Sequence, residues 1–360
     1  MTTVMQVLHQ GGGAGSVTST LHLSLGLARS GFHVRFVCPP GSEVEGQART
    51  GGLEVHPIAL ASSGRLANAA ALAGFLDRHP VDLVNSQSAK DRAALSWLAL
   101  TRRLRVPLVV TRRQMPRSFL LENWLVSRMA TTVVAVSRAV GDALIRRGTP
   151  RDKLVVIPNG LVTERVDGPV RPDVVAEWRR RIGWEPSRRT IGIVSRPKDQ
   201  EIVLRALDQV TVPVRLVLAG VEPNGPLGRL AERAPARHAA VCVPFTPDVR
   251  ALYELLELVL LPSRSEGLSQ ALLEAMALGK PVIASAATGN LEVVRDGVDG
   301  RLVDPLAPKA WGQVIEELLS NPGAATRLGT VARHTARVTY SLDRTVERTA
   351  DLYRAILVGS

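Results

Sequence analysis

Residues 4–38, VMQVLHQGGGAGSVTSTLHLSLGLARSGFHVRFVC, decide the fold that this sequence predicts. A short apolar run is followed by a glycine-rich turn, an amphipathic stretch with helical spacing and a second apolar run. This order indicates strand, loop, helix and strand, the unit from which parallel sheets are built. Strands of a parallel sheet are covered by helices on both faces, so they are expected to be apolar throughout, as these two runs largely are.

The same alternation continues along the chain, with one break at residues 158–186. The break contains the turn dipeptide Asn159-Gly160, and a polar stretch follows it. A chain of 360 residues is long for a single core. We therefore predict an α/β protein with two doubly wound parallel-sheet domains, residues 1–165 and 166–335. Residues 336–360 are predicted to form a last helix that packs back on the first domain.

The overall composition is that of a soluble globular protein, with 45% hydrophobic and 22% charged residues. Within the sequence no apolar run approaches the roughly 18 residues that span a bilayer. The first residues have neither a basic flank nor a cleavage site, so they predict a strand and not a signal peptide. Cys38 and Cys242 are the only cysteines, and no CxxC spacing occurs. These features disfavour a disulfide framework or a zinc site, and a cytoplasmic location is expected.

The charge of the chain is concentrated in its first domain. The formal net charge is +12, from 45 Lys+Arg and 33 Asp+Glu. Residues 1–165 carry 20 basic and 10 acidic residues, or +10, which leaves 25 and 23, or +2, for the remainder. The first domain is therefore expected to face an anionic membrane surface, an acidic glycan or a lipid phosphate, unless arginine acts here only as a solubilising residue. Nucleic acid is disfavoured as a partner, because aromatic residues make up only 4% of the chain. Residues 118–130 are expected either to contact the inner face of the plasma membrane or to form a packed helix.

The strongest motif is LVLLPSRSEGLSQALLEAMALGKPVIAS, residues 258–285. It predicts a buried strand, a turn that holds Glu266 and Gly267, and a helix that carries Glu274. Glycine lets the backbone approach a ligand closely, and the free amides of a helix start favour negative or oxygen-rich groups. Carboxylates accept hydrogen bonds from hydroxyl groups, so the pattern indicates a sugar-binding turn. The alternative is that Glu266 caps the helix and Glu274 is solvated.

A second motif, IGIVSRPKDQE at residues 191–201, places Arg196 and Lys198 after a buried strand. Cations at a strand end suit a diphosphate leaving group, whose developing charge needs a fixed counterion. The alternative is two solvated basic residues in a turn.

With these two motifs, the sequence resembles the retaining GT-B glycosyltransferases of family 4, also called glycosyl transferases group 1. The stretch EGLSQALLEAMALGKPV, the PNG turn at 158–160 and the glycine loop near the start carry the resemblance. It implies two Rossmann-like domains facing each other across a cleft. It also implies that Glu266 contacts the hydroxyl groups of the donor sugar and that Glu274 holds the nucleotide ribose. The donor would further contact Gly267, Leu268 and Ser269 through the backbone, and Arg196 and Lys198 through its diphosphate.

The resemblance implies two more donor contacts. Gly12 and Gly13, in the loop HQGGGAGS at residues 9–16, match the paired glycines of the family. This loop lacks the G-x-G-x-x-G spacing, so a nicotinamide cofactor is disfavoured. Pro244 and Phe245, after another strand, are expected to receive the nucleobase.

Candidate acceptor contacts lie in the first domain. Asp91 follows a strand and is expected either to orient or deprotonate an acceptor hydroxyl or to cap a helix. Arg112, Arg113 and Arg117 lie at another strand end and are expected to bind a phosphate or carboxylate of the acceptor. Many relatives have a histidine in this region, where this chain has Arg113 or Gln114, and His9 is interpreted as a strand-end histidine more readily than as a base.

We therefore predict a hexosyltransferase that moves a sugar from a UDP- or GDP-sugar to an acceptor hydroxyl, with retention. The acceptor is expected to be a glycan or a lipid-linked glycan, as in the synthesis of cell-surface polysaccharide or glycolipid. The resemblance implies no cofactor beyond the donor and no metal. The alternatives are a nucleotide-sugar epimerase or hydrolase of the same fold, a non-catalytic sugar-nucleotide-binding protein, and a nucleic-acid-binding protein.

Overall fold

The computed structural model describes residues 1–12, 15–60, 64–116, 120–246 and 248–359. The chain forms two compact units, one of Met1–Gly160 with Leu342–Ser360 and the other of Leu161–Ser341. The sequence placed these divisions after residues 165 and 335, five and six residues away from the positions in the structure.

The first unit contains a parallel sheet, with seven strands among the described residues. Its strands are β1 (Thr3–Val7), β2 (His33–Cys38), β3 (Glu54–Pro57), β4 (Leu83–Ser86), β5 (Leu108–Arg112), β6 (Thr132–Ala135) and β7 (Leu154–Val156). They lie in the order β3-β2-β1-β4-β5-β6-β7. The helices between them are α1 (Gly15–Arg29), α2 (Glu43–Thr50), α3 (Arg65–Arg78), α4 (Ala89–Leu100), α5 (Leu120–Met129) and α6 (Arg138–Ile145).

The second unit contains a parallel sheet of six strands within the described part of the chain. Its strands are β8 (Arg189–Val194), β9 (Val214–Ala219), β10 (Ala239–Val243), β11 (Leu258–Leu261), β12 (Val282–Ser285) and β13 (Arg301–Val303), in the order β10-β9-β8-β11-β12-β13. Its helices are α7 (Pro172–Ile182), α8 (Glu201–Ala206), α9 (Pro226–Ala231), α10 (Arg250–Leu255), α11 (Gln270–Ala277), α12 (Asn290–Val293), α13 (Pro308–Ser320) and α14 (Pro322–His334).

The last helix, α15 (Leu342–Val358), belongs to the first unit. It packs against α1, where a Cβ on Gly26 would lie only 2.3 Å from a methyl group of Val346. The absence of a side chain at Gly26 therefore allows the two helices to approach closely. Farther along α15, Tyr353 is fully buried in the core beneath the sheet.

The central strands are buried on both faces, which explains why they are continuous apolar runs. Every residue of β4, β6, β9 and β11 is buried. Each unit has its own core of Leu, Val, Ile and aromatic side chains between the sheet and the helices. The predicted fold, two doubly wound parallel-sheet α/β domains, is confirmed.

Each sheet has one point where the strand order reverses. In the first unit this point lies between β1 and β4, and in the second it lies between β8 and β11. The loops that follow the two strands leave in opposite directions there and open a crevice at the carboxyl edge of the sheet. Ligands of doubly wound sheets bind in this crevice.

Candidate active site

The crevice between β8 and β11 holds an ion pair between the two strongest sequence motifs. Nζ of Lys198, in the loop after β8, lies 2.7 Å from Oε1 of Glu266, in the loop after β11. The Glu266 side chain is only 10% exposed, whereas that of Lys198 is 41% exposed. The structure thus brings a partly exposed ammonium group and a buried carboxylate together at the reversal point of the second sheet.

The backbone of Glu266 is held at both of its polar groups by the turn that precedes α12. Its N–H donates to Oγ1 of Thr288 at 2.9 Å, and its carbonyl accepts from the N–H of Gly289 at 3.2 Å. A Cβ at position 289 would lie 2.0 Å from the carbonyl oxygen of Gly267. Glycine is therefore required at 289 for the two loops to touch, and this contact fixes where the Glu266 carboxylate lies.

The loop after β8 is folded around the buried side chain of Gln200. Its Nε2 donates to Oγ of Ser195 at 3.2 Å and to the carbonyl of Arg196 at 2.9 Å, while its Oε1 accepts from the N–H of Lys198. Gln200 was not among the residues predicted from the sequence, because a single glutamine after a strand gives no local sign that its side chain turns inward.

A second ion pair joins the same two loops. The backbone N–H and Nε of Arg264 donate to the two carboxylate oxygens of Asp199, at 2.9 and 2.6 Å. Arg196 is exposed beside this pair, and among the described residues its guanidinium has no hydrogen-bond or ion-pair partner. The crevice therefore offers Arg196 and Lys198 to an anion.

Glu274 lies on α11, whose start is capped by Ser269 through a 3.3 Å hydrogen bond from the N–H of Leu272. Oε1 of Glu274 accepts from Nε of Arg165 at 2.6 Å. Burial raises the pKa of the Glu274 carboxyl, and the Arg165 guanidinium acts in the opposite direction. Glu274 is thus a buried, paired carboxylate and not the solvated helix residue of the alternative interpretation.

The remaining donor contacts predicted in the second unit lie along the same edge of its sheet. Gly267, Leu268 and Ser269 are buried in the turn before α11. Pro244 and Phe245 follow β10, two strands from β8 and therefore about 10 Å away along the edge. The Phe245 side chain is 56% exposed, so its ring is available for stacking on a base.

At the reversal point of the first sheet, His9 and Asp91 form a hydrogen-bonded pair. Nδ1 of His9, just after β1, lies 3.2 Å from Oδ1 of Asp91 and 2.5 Å from Oγ of Ser88. Oδ2 of Asp91 accepts from Oγ of Ser86 and from the N–H groups of Gln87 and Ser88, at 2.8 to 2.9 Å. Burial raises the pKa of the Asp91 carboxyl, but the contacts with His9 and Ser88 together outweigh it, so the pKa is lowered.

The expectation that Asp91 itself contacts an acceptor hydroxyl therefore does not fit the structure and is corrected. The carboxylate is fully buried and is engaged by α4, for which it forms a capping box with Ser88. These contacts agree with the alternative interpretation, in which Asp91 caps a helix. The group that Asp91 orients is His9, whose side chain is 13% exposed. From its position in the sequence alone, His9 is interpreted as a strand-end histidine more readily than as a base.

The arginines predicted to bind the acceptor at the end of β5 have different surroundings in the structure. Arg112 is buried, and its NH1 donates to Oδ1 of Asn123 on α5 at 3.0 Å, so its role as an acceptor contact is corrected. Arg113 follows the strand, and its guanidinium donates to Oε1 of Gln87 at 3.0 and 3.2 Å and to Oδ1 of Asn159. Arg117 and Gly13 lie outside the described residues, and Gly12 is exposed before that gap.

Arg113 is a cation with neutral partners. Burial lowers its pKa to about 10. No carboxylate pairs with it in the described part of the chain, and its hydrogen bonds go to two amide oxygens. Gln87 in turn donates to Gln6 at 2.7 Å, and Gln6 donates to the hydroxyl of Tyr353 at 3.0 Å, so the last helix supports this arrangement from below. An unbalanced charge beside the reversal point favours an anionic ligand.

Residues 120–129 form α5, and the described side chains from Asn123 onward show a mixed surface. Val126 and Ser127 are buried, while Trp124 is exposed with the guanidinium of Arg128 5.4 Å from its ring centre. The described residues contain no helix with the length and apolar character needed to cross a membrane.

Comparison with known proteins identifies the fold and the family of this chain. Residues 13–165 match the family described as Glycosyltransferase Family 4, and residues 175–335 match the family described as Glycosyl transferases group 1. A glycosyltransferase from Rickettsia africae superposes with a TM-score of 0.83 at 21% identity, over 100% of this chain and 99% of the other. Anabaena Alr3699/HepE in complex with UDP-glucose superposes with a TM-score of 0.84 at 20% identity, over 99% and 100%. These structures share the GT-B fold, and the chain has the architecture of a GT-B glycosyltransferase.

Sequence relatives make the assignment more specific. A D-inositol 3-phosphate glycosyltransferase of Xylanimonas cellulosilytica is 30% identical over 285 residues, which cover 71% of this chain and 68% of the relative. An uncharacterized glycosyltransferase of Methanocaldococcus jannaschii is 29% identical over 233 residues, 62% of this chain and 59% of the relative. The chain belongs to the glycosyl transferases group 1 and is a glycosyltransferase.

Proposed function

We propose that this protein transfers a hexosyl group from a UDP- or GDP-sugar to an acceptor hydroxyl, with retention of the anomeric configuration and without a metal. The observation that carries the proposal is the Lys198–Glu266 pair at the reversal point of the second sheet. A carboxylate of fixed position can accept hydrogen bonds from sugar hydroxyls, and the cation beside it can face the diphosphate. Relatives of the same fold support the donor class, since one was solved in complex with UDP-glucose.

The proposed reaction breaks the bond between the anomeric carbon and the diphosphate oxygen. A new bond forms from the acceptor oxygen to the same carbon, negative charge develops on the departing diphosphate, and the proton of the acceptor hydroxyl passes to that diphosphate as the bonds exchange. Arg196 and Lys198 stabilise that charge electrostatically. When the donor enters, its phosphate replaces Glu266 as the partner of Lys198, and the Glu266 carboxylate becomes available to the sugar.

The nucleoside is proposed to lie along the same edge of the sheet. Glu274 holds the ribose hydroxyls, Phe245 and Pro244 contact the base, and the turn of Gly267, Leu268 and Ser269 lies against the sugar and phosphate. The proposal is supported by the position of Pro244, Phe245 and residues 267–269 after the carboxyl ends of β10 and β11, where doubly wound sheets bind ligands. Glu274 lies on α11, the helix that begins directly after the 267–269 turn.

The acceptor is proposed to carry a phosphate or carboxylate near the hydroxyl that is glycosylated. Arg113 supports this proposal, because it is a partly buried cation whose hydrogen bonds, within the described ranges of the chain, go to amide oxygens. His9 is proposed to contact the acceptor hydroxyl, with its orientation held by Asp91 and Ser88. The name of the Xylanimonas relative, a D-inositol 3-phosphate glycosyltransferase, describes an anionic acceptor for that protein. A lipid-linked or cell-surface glycan at an anionic membrane would suit the charge of +10 on residues 1–165, from 20 basic and 10 acidic residues.

The test is a thermal-shift screen of UDP- and GDP-sugars, followed by measurement of donor hydrolysis. We expect one donor class to stabilise the protein and to be hydrolysed slowly without an acceptor. Glu266→Gln should remove hydrolysis. Glu177→Gln, at an exposed position of helix α7, is the matched control and should hydrolyse the donor as the wild type does. If no donor binds or is turned over, or if the two variants behave alike, the proposed function is wrong.

A further inference from the structure

Three of the seven histidines of the chain surround one carboxylate at the edge of the first sheet. Glu54 and His56 are alternate residues of the edge strand β3, so their side chains leave the same face. Nε2 of His56 lies 2.6 Å from Oε1 of Glu54, and Nε2 of His33 lies 2.7 Å from Oε2. His79 reaches the cluster from the end of α3. One ligand atom each of Glu54, His56 and His79 lie within 4.8 Å of one another.

The rings of His56 and His79 are held in place by Phe75. This buried ring stacks on His79 with a centroid distance of 4.6 Å and meets His56 edge-on at 4.7 Å. The backbone N–H of His79 donates to the carbonyl of Phe75 at 2.9 Å. Both histidines precede a proline, Pro57 and Pro80, which restricts their backbone to extended conformations. The donor atoms are therefore gathered before any ligand arrives.

We propose that Glu54, His56 and His79 bind a divalent transition-metal ion, with zinc as the ion that this donor set favours. Two imidazoles and one carboxylate are a common set of three protein ligands for zinc, with a water in the fourth position. At zinc–ligand distances near 2.0–2.2 Å, the 2.6 Å separation of Glu54 and His56 would open to about 3.3 Å. His33 holds the second oxygen of Glu54, a contact that orients a ligating carboxylate.

Arg35 is a positive charge beside the proposed metal site and is expected to lower its affinity for the ion. Its Nε lies 3.2 Å from Oε1 of Glu54, and its NH1 donates to the carbonyl of Pro80 at 2.5 Å. A positive charge so near the cation weakens binding, so the affinity is expected in the micromolar range and not below it. Replacement of Arg35 should therefore strengthen metal binding, whereas replacement of a metal ligand should weaken it.

The site is separate from the candidate active site. In the sheet order, β3 lies two strands from β1, whereas the reversal point is on the other side of β1. A bound ion would join the edge strand β3 to the end of α3 and would cover part of an edge that otherwise exposes unpaired backbone. Its expected effect is on the stability of the first unit, and transfer activity need not change.

The experiment uses tag-free, chelator-treated full-length protein titrated with zinc chloride at pH 7.5 by calorimetry, with cobalt absorption spectra as a second readout. We expect one equivalent of zinc, a tetrahedral cobalt spectrum and a Tm increase of about 5 °C at 100-fold excess over Kd. His79→Asn should weaken binding at least about 30-fold. His334→Asn, at an exposed histidine of the second unit, is the control and should bind as the wild type does.

Arg35→Gln keeps the proposal testable if a ligand variant fails to fold. Removal of this cation should tighten zinc binding about 10-fold. The proposal is overturned if the wild type binds no zinc below millimolar concentration. It is equally overturned if His79→Asn, shown to be folded by circular dichroism, binds zinc as tightly as His334→Asn, or if Arg35→Gln leaves the affinity unchanged.

Discussion

Replacement of Lys198 by methionine separates the electrostatic role of this side chain from its role in the fold. Lys198→Met removes the ammonium group and keeps an unbranched stem of similar length. In the free protein the lost contact is the 2.7 Å ion pair with Glu266. During the proposed reaction the lost contact is the one with the departing diphosphate. The two losses are expected to differ greatly in size.

The effect on stability should be small. The Lys198 side chain is 41% exposed, so solvent screens its pair with Glu266. Pairs of this kind contribute about 0.2–1 kcal/mol. The backbone of Glu266 remains fixed by Thr288 and Gly289 without the lysine. We therefore expect the free energy of unfolding to fall by about 1 kcal/mol at most, and Tm by about 2–4 °C.

The effect on turnover should be large. Loss of one fixed group that stabilises developing negative charge lowers kcat by about 10²–10³. Lys198→Arg should retain more activity, with a decrease of about 10-fold. The positive charge is kept, but the planar guanidinium replaces the compact ammonium group and contacts the diphosphate differently. Lys309→Met, at an exposed lysine at the start of α13, removes the same charge away from the site and should leave kcat unchanged.

The assay measures release of UDP or GDP at saturating donor, using the donor found by thermal shift, together with Tm for each variant. The reasoning is refuted if Lys198→Met retains kcat within threefold of the wild type while its Tm shows a folded protein. An equal decrease in Lys309→Met would also refute it, because the effect would then follow net charge and not position.

Four further predictions concern neighbouring parts of the two units. His9→Asn should lower transfer to an acceptor by about 10²–10⁴ while donor hydrolysis, measured without acceptor, is unchanged. Asp91→Asn should lower the free energy of unfolding by about 2 kcal/mol at pH 7 in urea titrations. The native pKa of Asp91 is lowered, so its contribution is complete above the ordinary carboxyl pKa and is lost as pH falls through the native value, and the difference between variant and wild type should shrink there. Gly289→Ala should cost about 1–3 kcal/mol and weaken donor binding, since its Cβ would meet the Gly267 carbonyl at 2.0 Å. Glu274→Gln should weaken nucleotide binding about 10-fold in calorimetry with little change in Tm, because burial already raises the pKa of that carboxyl.

The strands could be predicted from the sequence because their burial is two-sided. The apolar run VRLVLAG at residues 214–220 forms β9 (Val214–Ala219), and the run LVLLPS at residues 258–263 forms β11 (Leu258–Leu261). Helix α7 (Pro172–Ile182) lies inside the stretch interpreted as polar up to residue 186. It is a surface helix with four charged residues in its last six positions, and only Trp178 and Ile182 are buried. Val174, Trp178 and Ile182 recur at intervals of four, so helical spacing was present in the sequence, but the charged residues around them made the stretch look like a polar connection.

The pairing of residues within the site depends on strand order, which the sequence does not show directly. Lys198 and Glu266 are 68 positions apart, and they meet because β11 pairs with β8 and not with β10. His9 and Asp91 are 82 positions apart and meet because β4 pairs with β1. The two motifs of the second unit were each strong enough to be identified alone. His9 and Asp91 were not, since a single histidine or aspartate after a strand has a local explanation.

Arg112 and Arg113 show how narrow the limit of sequence reasoning is. Successive side chains of a strand point to opposite faces, so two adjacent arginines at a strand end cannot both face the same ligand. Arg112 is the last residue of β5 and turns to Asn123, whereas Arg113 follows the strand and turns to Gln87 at the reversal point. A shift of β5 by one residue would have exchanged their roles. The two arginines in the sequence were therefore sufficient to predict a cation at this edge of the sheet. Which of them, Arg112 or Arg113, lies at the reversal point depends on the register of β5, which the sequence does not show.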